Sequence, residues 1–146
     1  MANFSEIPWI AAHIELYQKD PEKAHYWDSS ELGGPGVLPT LLLTTRGRKS
    51  GEPRLAPLIY GEHGDSFVII ASKGGMATHP LWYLNLDAEP SCEIQVGARH
   101  LKVKARVAEG SERDQIWAHM INVYPPYVDY QNNTERKIPV VVLDPV

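Results

Sequence analysis

The sequence predicts an α+β fold, with a helical N-terminal segment followed by an antiparallel sheet or barrel. Three observations lead there. Apolar residues recur at helical spacing from Ile7 to Tyr17. From Val37 onward that period gives way to short apolar, β-branched runs. Neighbouring runs are separated by stretches as short as Gly47–Gly51, Gly61–Asp65 and Gly97–Arg99, which suit hairpins and leave no room for the crossover helices of a parallel sheet.

In chain order, Ile7, Ile10, Ala11, Ile14 and Tyr17 form one helical stripe, with Ser5 as the expected N-cap and Pro8 in the first turn, where its missing N–H costs nothing. Trp9, Ala12 and Leu16 make a second apolar strip. The polar positions Glu6, His13 and Glu15, with Lys19 as the only cation, lack a basic stripe. The helix is therefore expected to dock on the rest of the chain, and peripheral membrane contact is the less favoured reading. Asp20-Pro21 reads as N-cap and first residue of a second short helix, and Gly33–Gly36 ends the segment.

Six strands are expected: Leu41–Thr45, Leu55–Tyr60, Phe67–Ala71, Cys92–Val96, Leu101–Val107 and Ile138–Leu143. Pro80 should open a helix carrying Leu81, Trp82, Leu84 and Asn85. Ser111–Asp114 has the form of a capping box before Ile116, Trp117, Met120 and Ile121. No repeat or linker interrupts the chain, so residues 1–146 are expected to form a single domain, with 1–35 its helical segment and 36–146 the sheet.

Composition narrows the function. The net charge is −4, which argues against a general nucleic-acid binder, since phosphate contacts demand a cationic surface. Residues 46–54 nevertheless carry +3, from Arg46, Arg48, Lys49 and Arg54 against Glu52, so the remainder carries −7 and a local anion site is implied. Cys92 is the only cysteine and is read as a core thiol; no disulfide framework or cysteine-based metal cluster can form, and a reducing cytoplasm is the expected compartment. Neither a signal peptide nor a transmembrane helix is read. The histidines His13, His25, His63, His79, His100 and His119 show no pair at metal-ligand spacing, so no metal site is expected. Nucleophile elbow, phosphate loop and Rossmann fingerprint are all missing, which leaves the chemistry to a bound cofactor.

Three clusters carry that idea. In Thr45–Arg54, Gly47 and Gly51 allow a tight turn across which Arg48, Lys49 and Arg54 converge on phosphate or carboxylate; the alternative is a solvated basic hairpin. In Ala71–Gly75, two glycines admit close backbone approach while Ser72 and Lys73 add a hydroxyl and a cation. In Tyr124–Tyr130, Pro125 and Pro126 end a helix, and a further turn would place Tyr127 and Tyr130 on one face. There phenols can stack on a flat molecule or donate to its oxygen, or else plug the core.

These clusters, in this order, resemble the deazaflavin-dependent nitroreductase family of actinobacteria, whose members reduce quinones, nitroimidazoles or activated alkenes. The resemblance runs from about Gly36 to Val142 and includes Thr44–Arg54, Pro57–Tyr60, Ala71–Gly75, His79–Leu86 and Tyr124–Tyr127. It implies a six-stranded antiparallel split β-barrel related to the flavin-mononucleotide oxidases, and reduced coenzyme F-420 as cofactor. It implies further that Arg48, Lys49, Ser50 and Arg54 hold the coenzyme's phosphate and oligoglutamate tail. Pro57, Leu58, Ile59, Tyr60, Ile70, Ala71, Ser72, Lys73, Trp82 and Asn85 would surround the rest. Tyr60, Ser72, Tyr124, Tyr127 and Tyr130 would face a small electron-poor acceptor, with Tyr124, Tyr127 and Tyr130 the catalytic candidates, and the first 35 residues can contribute to a substrate lid. Two other readings stay open at this point: an enzyme of the same fold using flavin mononucleotide, and a non-catalytic protein that stores the coenzyme or carries a lipid. The sequence is silent on oligomeric state.

Overall fold

A computed structural model describes residues 7–30 and 33–146. Its elements are α1 (Pro8–Lys19), α2 (Pro21–Ala24), β1 (Tyr26–Asp28), β2 (Val37–Arg46), β3 (Pro53–Ile59), β4 (Gly61–His63), β5 (Ser66–Ile70), α3 (Leu81–Ala88), β6 (Ser91–Val96), β7 (Arg99–Val107), α4 (Gly110–Val123), α5 (Pro126–Asn132) and β8 (Val140–Pro145), with a 3-10 turn at Lys73–Gly75. All strand pairings are antiparallel. The order across the sheet is β1-β2-β6-β7-β8-β5-β4, with β3 also paired to β2, and the sheet curls into the expected split barrel.

The described residues form eight strands rather than six. Tyr26–Asp28 adds one by pairing with Val37–Pro39, so the segment before residue 36 is not wholly helical. Gly61–His63, expected as part of a turn, pairs with Ser66–Val68 and leaves only Gly64 and Asp65 to reverse the chain, Gly64 at φ 61°. β2 starts at Val37, earlier than Leu41, because its first residues have β1 as a partner.

The alternation along the strands explains where the core lies. Phe67, Ile69, Val141 and Leu143 face one cluster with Leu41, Leu43, Ile94, Val103 and Trp82; Val68, Ile70, Val140 and Val142 face another with Ile116 and Met120 of α4, Tyr124 at its C-terminal cap and Tyr127 of α5. β5 and β8 are thus covered on both faces, which is why they read as continuous apolar runs. A third cluster seats Ile10, Ile14 and Tyr17 of α1 on Ala24 and Leu42, each large side chain contributing about 2 kcal/mol by leaving water.

The helix ends partly follow expectation. The Asp20 side chain accepts from the Lys23 N–H at 3.3 Å, as an N-cap should. Ser5 and Glu6 lie outside the described residues. α3 begins at Leu81, with Pro80 as its cap rather than its first residue. α4 begins at Gly110, so Ser111 falls inside the first turn and the capping box does not form. His13, expected on the polar face of α1, is buried instead. Its Nε2–H donates to the Ala24 carbonyl at 2.8 Å, which also accepts from Thr40 Oγ1 at 2.9 Å. Of the second strip, Trp9 is 51% exposed and stacks on Trp27 with centroids 5.7 Å apart, while Leu16 packs against the α1 cluster.

Candidate coenzyme cavity and tyrosine cluster

β2 and β3 run in register to Arg46↔Pro53, and the chain between them closes on itself. The Gly47 N–H donates to the Glu52 carbonyl and the Gly51 N–H to the Gly47 carbonyl, both at 2.8 Å, with Gly51 at φ 75°. α3 braces this turn from below. Asn85, 6% exposed, accepts from the Arg48 N–H through Oδ1 and donates to Thr45 Oγ1 through Nδ2, each at 3.1 Å. The Ser50 hydroxyl accepts from the Glu52 N–H at 3.1 Å and from Arg54 Nη2 at 3.4 Å.

The turn and α3 enclose a cavity of about 250 Å³. Arg48, Lys49, Ser50 and Arg54 supply one wall, and Leu81 and Trp82 contribute an apolar one; among the described residues no carboxylate lines it. The turn packs tightly on Gly47, where a Cβ would lie 2.7 Å from Ser50 Oγ and 3.3 Å from the Glu52 carbonyl oxygen. Arg54 also lines a neighbouring groove beneath α1, with Ile14 and Gln18. A positive rim over an indole and leucine side chains suits a molecule that is anionic at one end and apolar at the other.

The second expected cluster is a left-handed turn. Lys73, Gly74 and Gly75 have φ of 47°, 63° and 80°, and Lys73 is the only non-glycine among the described residues with positive φ. Lys73 Nζ donates to Thr78 Oγ1 at 3.0 Å. Gly75 lies against α5 so closely that a Cβ would sit 2.6 Å from the Tyr130 carbonyl oxygen. Ser72 is buried.

α5 forms as expected and gathers the tyrosines. The Tyr124 and Tyr130 hydroxyls are 2.9 Å apart, and Tyr127 packs edge-on to Tyr124 at 4.8 Å between centroids. Tyr124 and Tyr127 are buried and Tyr130 half-buried. Burial pushes the Tyr124 phenol well above its ordinary range, helped by its bond to Tyr130; burial raises Tyr127 likewise, helped by the neighbouring phenols.

Not every expected residue joins these groups. Pro57–Tyr60 and Ile70–Lys73 do not line the cavity beside the basic turn. Tyr60 packs in the barrel against Phe67, 7% exposed, with its phenol pushed up to about 12 by burial and the nearby Glu62. Ala71 is fully buried, its N–H donating to the Pro139 carbonyl and its own carbonyl accepting from Arg136.

Two residues near the clusters escape a reading of the sequence. His25 places Nε2 3.5 Å from the Tyr60 hydroxyl, and its buried Nδ1 has no partner among the described residues. Arg136 spreads its guanidinium under the Ser72 turn. It donates from Nε to the Met76 carbonyl at 2.8 Å, from Nη1 to Ala71 at 3.1 Å and from Nη2 to Ser72 at 2.6 Å. Neither residue stands in a motif, and their partners lie too far along the chain for spacing to reveal them.

A split barrel with a cation-lined, indole-walled cavity and a separate tyrosine-bearing helix has parts that an oxidoreductase working through a bound cofactor would use. Comparison with known proteins specifies which. The family model described as F420H(2)-dependent quinone reductase matches residues 29–145, and the chain belongs to that family. A relative from Mycobacterium tuberculosis, an F420H(2)-dependent quinone reductase, is 43% identical over 141 residues, covering 92% of this chain and 95% of that protein. A solved structure of an F420-H2 dependent reductase shares 42% identity at a TM-score of 0.67, over 72% of this chain and 93% of the other. Another, described as a domain-swapped dimer, shares 35% identity at a TM-score of 0.71, over 94% and 98%. The chain is an enzyme, a reductase dependent on reduced coenzyme F-420. No helix among the described residues is long and apolar enough to cross a membrane.

Proposed function

We propose that this enzyme, acting in the cytoplasm as a single domain, reduces quinones to hydroquinones, with nitroaromatics and α,β-unsaturated carbonyl compounds or lactones as further acceptors. The observation that carries this reading is the cavity, where Arg48, Lys49, Ser50 and Arg54 converge beside Trp82 with no opposing carboxylate among the described residues. The donor set fits the coenzyme: forked and point-charge cations for the phosphate and carboxylates, and an apolar wall for the part that carries no charge. Once bound, the reduced coenzyme supplies a hydride.

This chain's own residues then bind, orient and stabilise. Arg48, Lys49 and Arg54 hold the anionic end, and Asn85 acts by fixing the turn that presents them. Pro57–Tyr60, Ile70–Lys73 and Trp82 shape the surroundings of the ring. Tyr130 faces the acceptor with Tyr124 and Tyr127 packed against it, whereas Tyr60, packed on Phe67 in the other cluster, stands apart from them. Negative charge grows on the acceptor oxygen as it is reduced, and a preorganised hydroxyl aimed there stabilises it. Tyr130 is best placed among the three tyrosines, being half-buried and fixed by the Tyr124 hydroxyl at 2.9 Å. Tyr124 and Tyr127, raised by burial, stay neutral, the Tyr130 hydroxyl serves as hydrogen-bond donor, and the proton that completes the hydroquinone comes from solvent.

The test supplies purified protein with reduced coenzyme and a soluble naphthoquinone under anaerobic conditions. The expected result is saturable, enzyme-dependent return of the oxidised coenzyme's absorbance, matched one to one by hydroquinone. Coenzyme binding without any such turnover, for quinone, nitroaromatic and enone alike, would refute the proposal and favour a storage protein.

A further inference from the structure

We propose that Arg136 is a positioning residue that locks the Ser72–Met76 turn in its left-handed form and fastens it to α5, so that the coenzyme side and the acceptor side of the site move as one body. This deepens the preceding reading, since it rests on Ser72 and Lys73 belonging to the coenzyme site.

The argument starts from the backbone. Three successive residues, Lys73, Gly74 and Gly75, hold positive φ, and Lys73 pays for this with a Cβ that the left-handed region disfavours. Such a turn persists only if its surroundings determine it. Within the turn, the Gly75 N–H donates to the Ser72 carbonyl at 2.9 Å and the Met76 N–H to the Lys73 carbonyl at 3.2 Å. Arg136 supplies the remainder from outside. Its donors take the carbonyls of Ala71, Ser72 and Met76, on either side of the left-handed residues, and Nη1 also reaches His79 Nδ1 at 3.2 Å.

The same residue is tied to α5. Gln131, on that helix, donates through Nε2 to the Arg136 carbonyl at 2.8 Å and accepts the Ile138 N–H through Oε1 at 2.9 Å. Gly75 against the Tyr130 backbone completes the contact. Among the described residues, no carboxylate lies within ion-pair distance of Arg136, so its charge is answered only by neutral acceptors. A planar guanidinium presents donors spread over three nitrogens in a fixed geometry that matches these three carbonyls, whereas an ammonium offers its three donors from a single point on a flexible stem.

The experiment compares wild type with Arg136→Lys and Arg136→Gln, reading amide hydrogen exchange of residues 72–76 without coenzyme and coenzyme affinity by fluorescence titration. Arg113→Gln is the control, because Arg113 holds the Ile138 carbonyl at 2.7 Å and lies over Trp117, away from the turn. Charged hydrogen bonds being worth more than neutral ones, both Arg136 variants should bind coenzyme about tenfold more weakly and exchange the turn amides faster. Arg113→Gln should lower stability and leave both readings unchanged. Wild-type affinity in Arg136→Lys would overturn the proposal, showing that charge alone suffices, as would faster exchange with unchanged affinity in both variants, which would make the clamp merely structural. Neither reading depends on turnover, so failure of the quinone assay would strike the proposed function and leave this test standing. Should Arg136→Gln not fold, Arg136→Lys, which keeps the charge and length, decides the matter.

Discussion

Replacing Asn85 by alanine should damage stability and coenzyme binding together, because one buried amide serves both. The substitution removes two hydrogen bonds of 3.1 Å. The Arg48 N–H, on an exposed residue, can turn to water, so its loss costs about 1 kcal/mol or less. Thr45 is 2% exposed and keeps a hydroxyl that has lost its donor, which costs about 1–3 kcal/mol. The sum is about 2 kcal/mol, and for a chain of this size that lowers the melting temperature by roughly 4–8 °C. Loosening the turn should also weaken coenzyme affinity by about tenfold, since Arg48 and Lys49 no longer start from a fixed backbone. Asn85→Asp separates the two effects: its carboxylate still accepts from Arg48 and the Thr45 hydroxyl can rotate to donate, so stability should fall less. Its charge offsets the cations, so affinity should fall at least as far. Calorimetry and fluorescence titration of both variants measure this. An Asn85→Ala protein with wild-type melting and affinity would refute the bracing role.

Three further outcomes are expected. Neutralising Lys49 and Arg54 together should weaken coenzyme binding, with the loss shrinking as salt rises through about 0.1 M, where screening acts over about 10 Å; titration at several salt concentrations checks it. Tyr130→Phe keeps the ring but removes the hydroxyl partner of Tyr124, and should lower single-turnover quinone reduction by about tenfold to a hundredfold with coenzyme affinity nearly intact. His13 is depressed by burial, outweighing its bond to the Ala24 carbonyl, so the folded state prefers it neutral. Its contribution to stability is therefore fully present above the unfolded value of 6.5 and is lost as pH falls through the lower folded value. Urea midpoints should drop as pH falls below 6.5, and less so in His13→Gln, whose amide can still reach Ala24.

The strands from Phe67 to Ile70 and Val140 to Leu143 were legible because both faces of each are buried, which concentrates β-branched residues beyond what any loop would hold. Tyr26–Asp28 was not, since a three-residue strand shows no alternation and exists only because Val37–Pro39 offers an edge. Ser111 misled because its spacing to Asp114 matches a capping box whose geometry requires an extended residue, a conformation that Glu109 adopts instead, two positions earlier. The basic turn and the tyrosines could be read, their chemistry being concentrated within a few residues. Arg136 could not: in Thr134–Lys137 it looks like one charge in a polar loop, and its partners at Ala71, Ser72 and Met76 lie 60 to 65 positions away. His13 is similar, a polar letter at a helical position whose burial depends on the Ala24 carbonyl and the Thr40 hydroxyl supplied by other elements.

The position of β8 has a consequence for how the protein is made. This strand, at residues 140–145, is not at an edge but lies between β5 and β7, bonding to both. During translation everything up to Val107 can emerge while the two strands that β8 will join still have open edges and unfilled apolar faces. The barrel can close only after residue 145 has cleared the ribosome. Until then β5 and β7 each present an open edge, and a chain lacking residues 140–145 would keep two exposed edges prone to pairing with other chains.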